Sequence, residues 1–358
     1  MSNSVSVRGY RKGDEEAVNA LYNLAFSARR TLDEWRWKFE GHAAAAGLED
    51  VPLTIAESGG RIVGQYAALV VRFKFQDRIL LAAEPVETAI DPQFRGGASA
   101  LLRLWAAQPA LAAERQVAFG YGFPNEPHYA VGERMLHYLD LFPLPVLYRR
   151  VNWRHTLRRR LPWLPTRVVR AAGEVVRAGA SLRLARAAVR GVAIREVSSF
   201  DAGADEFWER VQQRYGILAV RDRRYLNWRY AAAPARRYTA LAAEVDGRLD
   251  GYVVLATRQE GRDCVGLVMD LLAEDEGRVA GALIRGALRW FLARGVDYTL
   301  CGMLRDDPMH RALRRLGFRE HPAFPSVPAV YMLFSREVDE AILTDQRHWH
   351  LTFGDADI

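Results

Sequence analysis

Cysteine is nearly absent from this chain of 358 residues, Cys264 and Cys301 being the only two. Both lie in apolar stretches that read as strands, so buried free thiols in a reducing compartment are expected in preference to a disulfide. Two cysteines also fall short of a zinc-ribbon or zinc-finger ligand set, and the pair His348 and His350 has no further ligands nearby in sequence, so no metal site is expected. Lysine is scarce as well: Lys12, Lys38 and Lys74 are the only three among 50 basic residues, which speaks against lysine nucleophile chemistry. No apolar run reaches the roughly 18–20 residues of a membrane-spanning helix. The opening residues, Met1 to Arg8, lack an apolar signal segment, and a cytoplasmic location is expected.

What is present is core material and an uneven charge. Half the residues are hydrophobic and 11% are aromatic, enough for two packed domains. The net charge of +7 is concentrated between Arg149 and Arg195, where thirteen arginines face one acid, Glu174, so the remainder of the chain is net negative. Confinement to one segment argues against a protein that coats nucleic acid. The segment 150–192 reads as a basic helical connector. It is a solvated face, a strip that docks on the acidic domains, or, with Trp153 and Trp163 beside Arg158 to Arg160, a peripheral contact for an anionic membrane.

The chain is written twice. Arg8 and Asp14 recur as Arg195 and Asp201, each 187 residues on. Trp37-Lys38-Phe39 recurs as Trp228-Arg229-Tyr230 at 191, Glu57–Gly64 as Glu244–Gly251 at 187, and Leu136-His137-Tyr138 as Leu316-Gly317-Phe318 at 180. Several echoes in one order at nearly one spacing indicate a duplicated domain. Each copy spells a strand, a helix, an aromatic connector and a hairpin, turned in copy one at Gly59-Gly60. In copy one a strand at about 79–90, a helix at about 98–114, a strand at 117–121 and a helix at about 128–136 follow. The layout is α/β, with helices interleaved among the strands of a mixed sheet.

The order of elements and the stretch Ala89-Ile90-Asp91-Pro92-Gln93-Phe94-Arg95-Gly96-Gly97-Ala98 resemble the GCN5-related N-acetyltransferases (GNAT). The resemblance implies two tandem domains of that fold, each a mixed, mostly antiparallel sheet flanked by helices. They would span 1–149 and 193–336, joined by the basic connector and followed by a tail, 337–358. It implies acetyl-CoA or another acyl-CoA as co-substrate. The pyrophosphate would rest on Arg95, Gly96, Gly97 and Ala98 at a helix N-terminus, with Ile90 and Asn125 beside the cofactor. Ala98 stands where the family usually has glycine, and the tyrosine that precedes the closing Gly-Phe falls on Gly132 and Leu313. Copy two carries Glu274-Asp275-Glu276 at the loop position, carboxylates that repel a pyrophosphate, so one acyl-CoA site per chain is expected.

Catalytic candidates follow from the chemistry. An amine acceptor must lose a proton, and Glu87, on the strand before the loop, is the candidate base; Glu84, three residues away, faces the other side of a regular strand. His128 and Tyr129, at the start of a helix that Asn125 caps, are candidate donors to the leaving thiolate. The expected activity is acyl-CoA-dependent N-acyl transfer, with acetyl the first choice. The acceptor is the amine, or a hydroxyl, of a small molecule or sugar. Alternatives are a Fem-type aminoacyl-tRNA-dependent transferase and a GNAT-like scaffold without catalysis.

Overall fold

In the computed structural model, residues 5–356 are described apart from 98, 136, most of 153–188, and 235–236. The basic connector lies almost wholly outside the described residues. Copy one runs β1 (Ser6–Gly9), α1 (Glu15–Phe26), α2 (Leu32–Arg36), α3 (His42–Ala46), β2 (Leu53–Ser58), β3 (Arg61–Phe75), β4 (Arg78–Ile90), α4 (Ser99–Ala106), α5 (Gln108–Glu114), β5 (Val117–Gly122), α6 (Glu126–Met135), β6 (Leu139–Asp140) and β7 (Val146–Arg150). Copy two runs β8 (Ala193–Val197), α7 (Gly203–Val211), β9 (Ile217–Ala219), α8 (Arg223–Leu226), β10 (Thr239–Val245), β11 (Arg248–Glu260), β12 (Asp263–Ala273), α9 (Arg278–Ala293), β13 (Tyr298–Gly302), α10 (Pro308–Arg315), β14 (Arg319–Glu320) and β15 (Val330–Leu333).

The two sheets have one topology. The first is ordered β1-β2-β3-β4-β5-β15-β6, with β9 added against β3, and the second β8-β10-β11-β12-β13-β7-β14. The last full strand of each copy therefore sits in the other copy's sheet. Val330–Leu333 pairs with β5 and β6, and Val146–Arg150 pairs with β13 and β14. This corrects the division drawn at 149 and 336. Adjacent elements in sequence usually pair locally, and a repeat spacing carries no sign of such an exchange.

Equivalent residues confirm the duplication. A π-helical turn occupies Trp37–Gly41 in one copy and Asn227–Ala231 in the other. The Trp37 indole N–H donates to the Trp228 carbonyl at 2.7 Å, and the Trp228 indole N–H to the Trp37 carbonyl at 2.8 Å. Such reciprocity is what a two-fold axis between the copies produces. The strand β4 carries a bulge: Ala67 pairs with Glu87 and Ala68 with Pro85, leaving Val86 over. In β12 the same irregularity leaves Met269 between Val268 and Asp270.

The inner faces of both sheets share one core, into which the chain's end is folded. Trp349 packs against Phe73, Phe119 and Phe142, with ring centroids 5.8–6.2 Å away. The His350 ring nitrogen Nδ1 lies 2.6 Å from the Asp307 carboxylate, both fully buried. Residues 349–356 are thus buried against the core rather than a free tail. One helix departs from expectation: the run 98–114 is two helices, α4 and α5. Pro109 has no N–H to offer the Trp105 carbonyl, so the ladder breaks around Ala107.

His42 on α3 is buried against the edge of Trp228, centroids 4.8 Å apart. Burial lowers its pKa to about 4, so the native ring is neutral. Between pH ~6.5 and ~4 the unfolded chain takes a proton that the native chain refuses, and stability falls with falling pH by roughly 3 kcal/mol from this group. Urea unfolding at pH 7 and pH 4.5 should show that loss, and His42→Phe should reduce it; an unchanged difference in the variant would place its origin elsewhere.

Candidate active site

The parallel strands β4 and β5 pair only from Leu81–Ala83 to Val117–Gly120, although β4 continues to Ile90. Beyond the last pair a cleft opens, holding about 840 Å³ of empty space that is partly continuous with solvent. Pro85, Gly120 and Gly122 line it at the gap between the strands, and Trp105, His128 and Tyr138 line it from the helical side. Gly120 and Gly122 bring bare backbone to the wall, where a ligand can approach closely.

A hydrogen-bonded chain crosses this wall. The Tyr66 and Tyr138 hydroxyls are bonded to each other, and the Tyr138 hydroxyl lies 3.3 Å from His128 Nε2. Burial pushes Tyr138 up to about 12 and lowers His128, so at neutral pH the phenol keeps its proton and the imidazole is uncharged. Tyr138 was not among the candidates. A Cβ on Gly132 would lie 2.1 Å from the Tyr138 ring, so the ring fills the space over the position where the tyrosine of the resembled family is missing.

The structure separates the other candidates. Asn125 caps α6, its side chain accepting from the His128 N–H at 3.0 Å and its carbonyl from the Tyr129 N–H at 2.8 Å. Cap geometry brings His128 to the cleft and turns Tyr129 away; the Tyr129 hydroxyl donates to Asp140 at 2.6 Å and does not line the cleft. Ile90 is half-buried in a small cluster with Leu104 and Phe94. Pro92–Gly97, which includes Arg95, Gly96 and Gly97, forms a 3₁₀ turn leading to α4. It starts from Asp91, whose side chain accepts the Gln93 N–H at 2.9 Å. Ala98 lies outside the described residues.

Glu87 is the main correction. The bulge at Val86 puts Glu84 and Glu87 on the same face of β4, opposite the cleft-lining Ala83 and Pro85, so the regular-strand expectation for Glu84 fails. Glu87 is buried and paired with Arg30 at 2.5 Å and Lys38 at 2.9 Å, and it accepts from Gln65 at 3.2 Å. A carboxylate that neutralises two cations is not free to take an acceptor's proton. Copy two repeats the arrangement: Asp270, also one residue past its bulge, is held by Arg221 at 3.0 Å and by the Tyr230 and Tyr252 hydroxyls at 3.0 and 3.1 Å.

Copy two has closed its own gap. Phe353 lies against Gly302 at the end of β13, where a Cβ would stand 2.6 Å from the ring. Asp355 is paired with Arg221 at 2.7 Å. At the loop, Asp275 accepts the Arg278 N–H and so occupies the N-terminus of α9. Glu274 pairs with Arg210 and Arg248, and Glu276 with Arg311.

Residues 6–131 match the family model of the acetyltransferase (GNAT) domain. Among solved structures, a GCN5-related N-acetyltransferase from Anabaena variabilis is similar at a TM-score of 0.61 with 10% identity, over 93% of this chain and 73% of that one. One from Kribbella flavida gives 0.59 with 15% identity, over 92% of this chain and 71% of that one. The Saccharomyces cerevisiae N-myristoyltransferase with bound myristoyl-CoA gives 0.57 with 11% identity, over 93% and 83%. No curated protein sequence matches the chain. The chain thus carries a GNAT domain within a tandem of that fold, and it is an acyltransferase with an acyl-CoA as co-substrate. Among the described residues no helix is long and apolar enough to cross a membrane.

Glu87→Gln should leave Arg30 and Lys38 under-neutralised and lower stability by roughly 3 kcal/mol. Denaturant unfolding measures this directly. Turnover per folded molecule should survive; a folded variant of full stability that has lost turnover would return Glu87 to the role of base.

Proposed function

We propose that this chain, whose GNAT domain and tandem fold make an acyl-CoA its co-substrate, transfers the acyl group to the amine of a small molecule or sugar, at one site per chain in copy one. The observation that carries this reading is the contrast between the two strand gaps: the one at β4 and β5 is open, and the one at β12 and β13 is filled by Phe353. The turn with Arg95, Gly96 and Gly97 and the first N–H groups of α4 hold the pyrophosphate by backbone donors and the positive helix end. Ile90 and Asn125 flank the cofactor from the ends of β4 and β5.

The acceptor nitrogen attacks the thioester carbonyl carbon, the C–N bond forms and the C–S bond breaks. Tyr138 gives its proton to the departing thiolate, for which a phenol held in its protonated state is suited. His128, neutral and hydrogen-bonded to that hydroxyl, orients it. The proton released by the acceptor nitrogen leaves through water, since Glu87 is engaged, and a proton from water restores the Tyr138 phenol. Most of the rate gain comes from holding nitrogen and carbonyl together in the gap.

Titration calorimetry with acetyl-CoA should give one site per chain, abolished by Gly96→Glu, which sets a carboxylate against the phosphates; two sites would overturn the assignment to copy one. Tyr138→Phe should lower thiol release with an amine panel by on the order of 10²-fold while CoA affinity is kept. Tyr129→Phe should change neither, and the reverse pattern would make Tyr129 the donor.

A further inference from the structure

The cleft does not end at the gap between the strands. It continues beneath α4 and α5, over Ala68 and Val70 of β3, Ala83 of β4 and Val117 of β5, with Ala112 and Phe334 as its far walls. A channel for the pantetheine arm alone has no need of this branch.

Its surface is hydrocarbon. Polar side chains on its wall have partners within the protein: Gln108 donates to the Leu104 carbonyl at 2.6 Å and to Thr54 at 3.4 Å, and Arg115 donates to Asp50 at 2.7 Å. What remains unmatched is apolar area, which favours an apolar occupant. The branch exists because the helix is broken. In copy two α9 has no proline, runs unbroken for 16 residues, and buries Leu283, Ile284, Leu288 and Phe291. There Phe291 rests on Gly266, where a Cβ would stand 2.6 Å from its ring; Gly266 is three residues before the bulge, the place that Ala83 holds in copy one. One copy fills the space under its helix with Phe291, and the other lines the corresponding part of its cleft with the smaller Ala83 and Ala112.

We propose that this branch receives the hydrocarbon chain of a medium- or long-chain fatty acyl-CoA, so that the acyl group transferred is a fatty acyl rather than an acetyl group. The inference rests on the acyl-CoA reading above and commits that reading to a substrate class. Continuity argues for this occupant: a chain attached to a carbonyl in the β4–β5 gap leads directly into the branch. From Gly122 to Val117, β5 covers about 16 Å at the ordinary strand rise, ample for such a chain.

The test is calorimetric titration of the full chain with CoA, acetyl-CoA, octanoyl-CoA and lauroyl-CoA. Affinity should rise by about fourfold for each methylene buried, so that lauroyl-CoA binds at least on the order of 10²-fold tighter than acetyl-CoA. Ala112→Phe, which fills the branch, should erase that gain and leave acetyl-CoA binding intact. Ala68→Leu, a smaller intrusion from the sheet side, should reduce the gain if the first variant does not fold. A flat series, or a gain untouched by a folded variant, would overturn the fatty-acyl assignment while leaving acyl-CoA binding in place. Failure of CoA and all three thioesters to bind would overturn both readings.

Discussion

Two buried carboxylates govern the architecture. Glu87 and Asp270 each follow a bulge in a central strand, where a charge without a partner would cost several kcal/mol. Each is met by an arginine 191 residues apart from its counterpart, Arg30 and Arg221, delivered by the segment before the aromatic turn. Those arginines fix where α2 and α8 begin, and the indoles of Trp37 and Trp228 then bond across the join. In copy two the arginine also captures Asp355, which draws the end of the chain into the core. A charge-pairing requirement is thereby converted into the packing of two domains as one body.

Few residues separate the copy whose strand gap is open from the copy whose gap is filled. Pro109 breaks a helix and opens space, while the unbroken α9 and Phe291 close it. Asp275 takes up the helix N-terminus where copy one has a turn containing two glycines. Phe353 occupies the second gap. In copy two, side chains of the protein itself occupy the places that stay open in copy one.

Much of the fold was legible because it repeats. The echoes Arg8/Arg195 and Trp37/Trp228 fall at equivalent places, and the strands around Gly59-Gly60 are the hairpin they resemble. The exchanged strands were not legible, because a strand's sequence records its apolar alternation and not its neighbour. Glu84 and Glu87 were placed on opposite faces because a bulge at Val86 leaves no mark that pattern reading detects. That His128 lines the cleft follows from the cap that positions it. Tyr138 was not singled out because its place on the cleft wall depends on how its ring covers Gly132, a property of three-dimensional packing.

The exchange of strands has a consequence for synthesis. Val117–Gly122 emerges early, but the strand that covers its outer edge, Val330–Leu333, is made more than two hundred residues later. At ordinary elongation rates that is an interval of about 10–40 s, during which an apolar edge stands open. Val146–Arg150 waits in the same way for β13. The nascent chain cannot complete either sheet domain by domain, and its first half carries open edges until the exchanged strands of the second half are made.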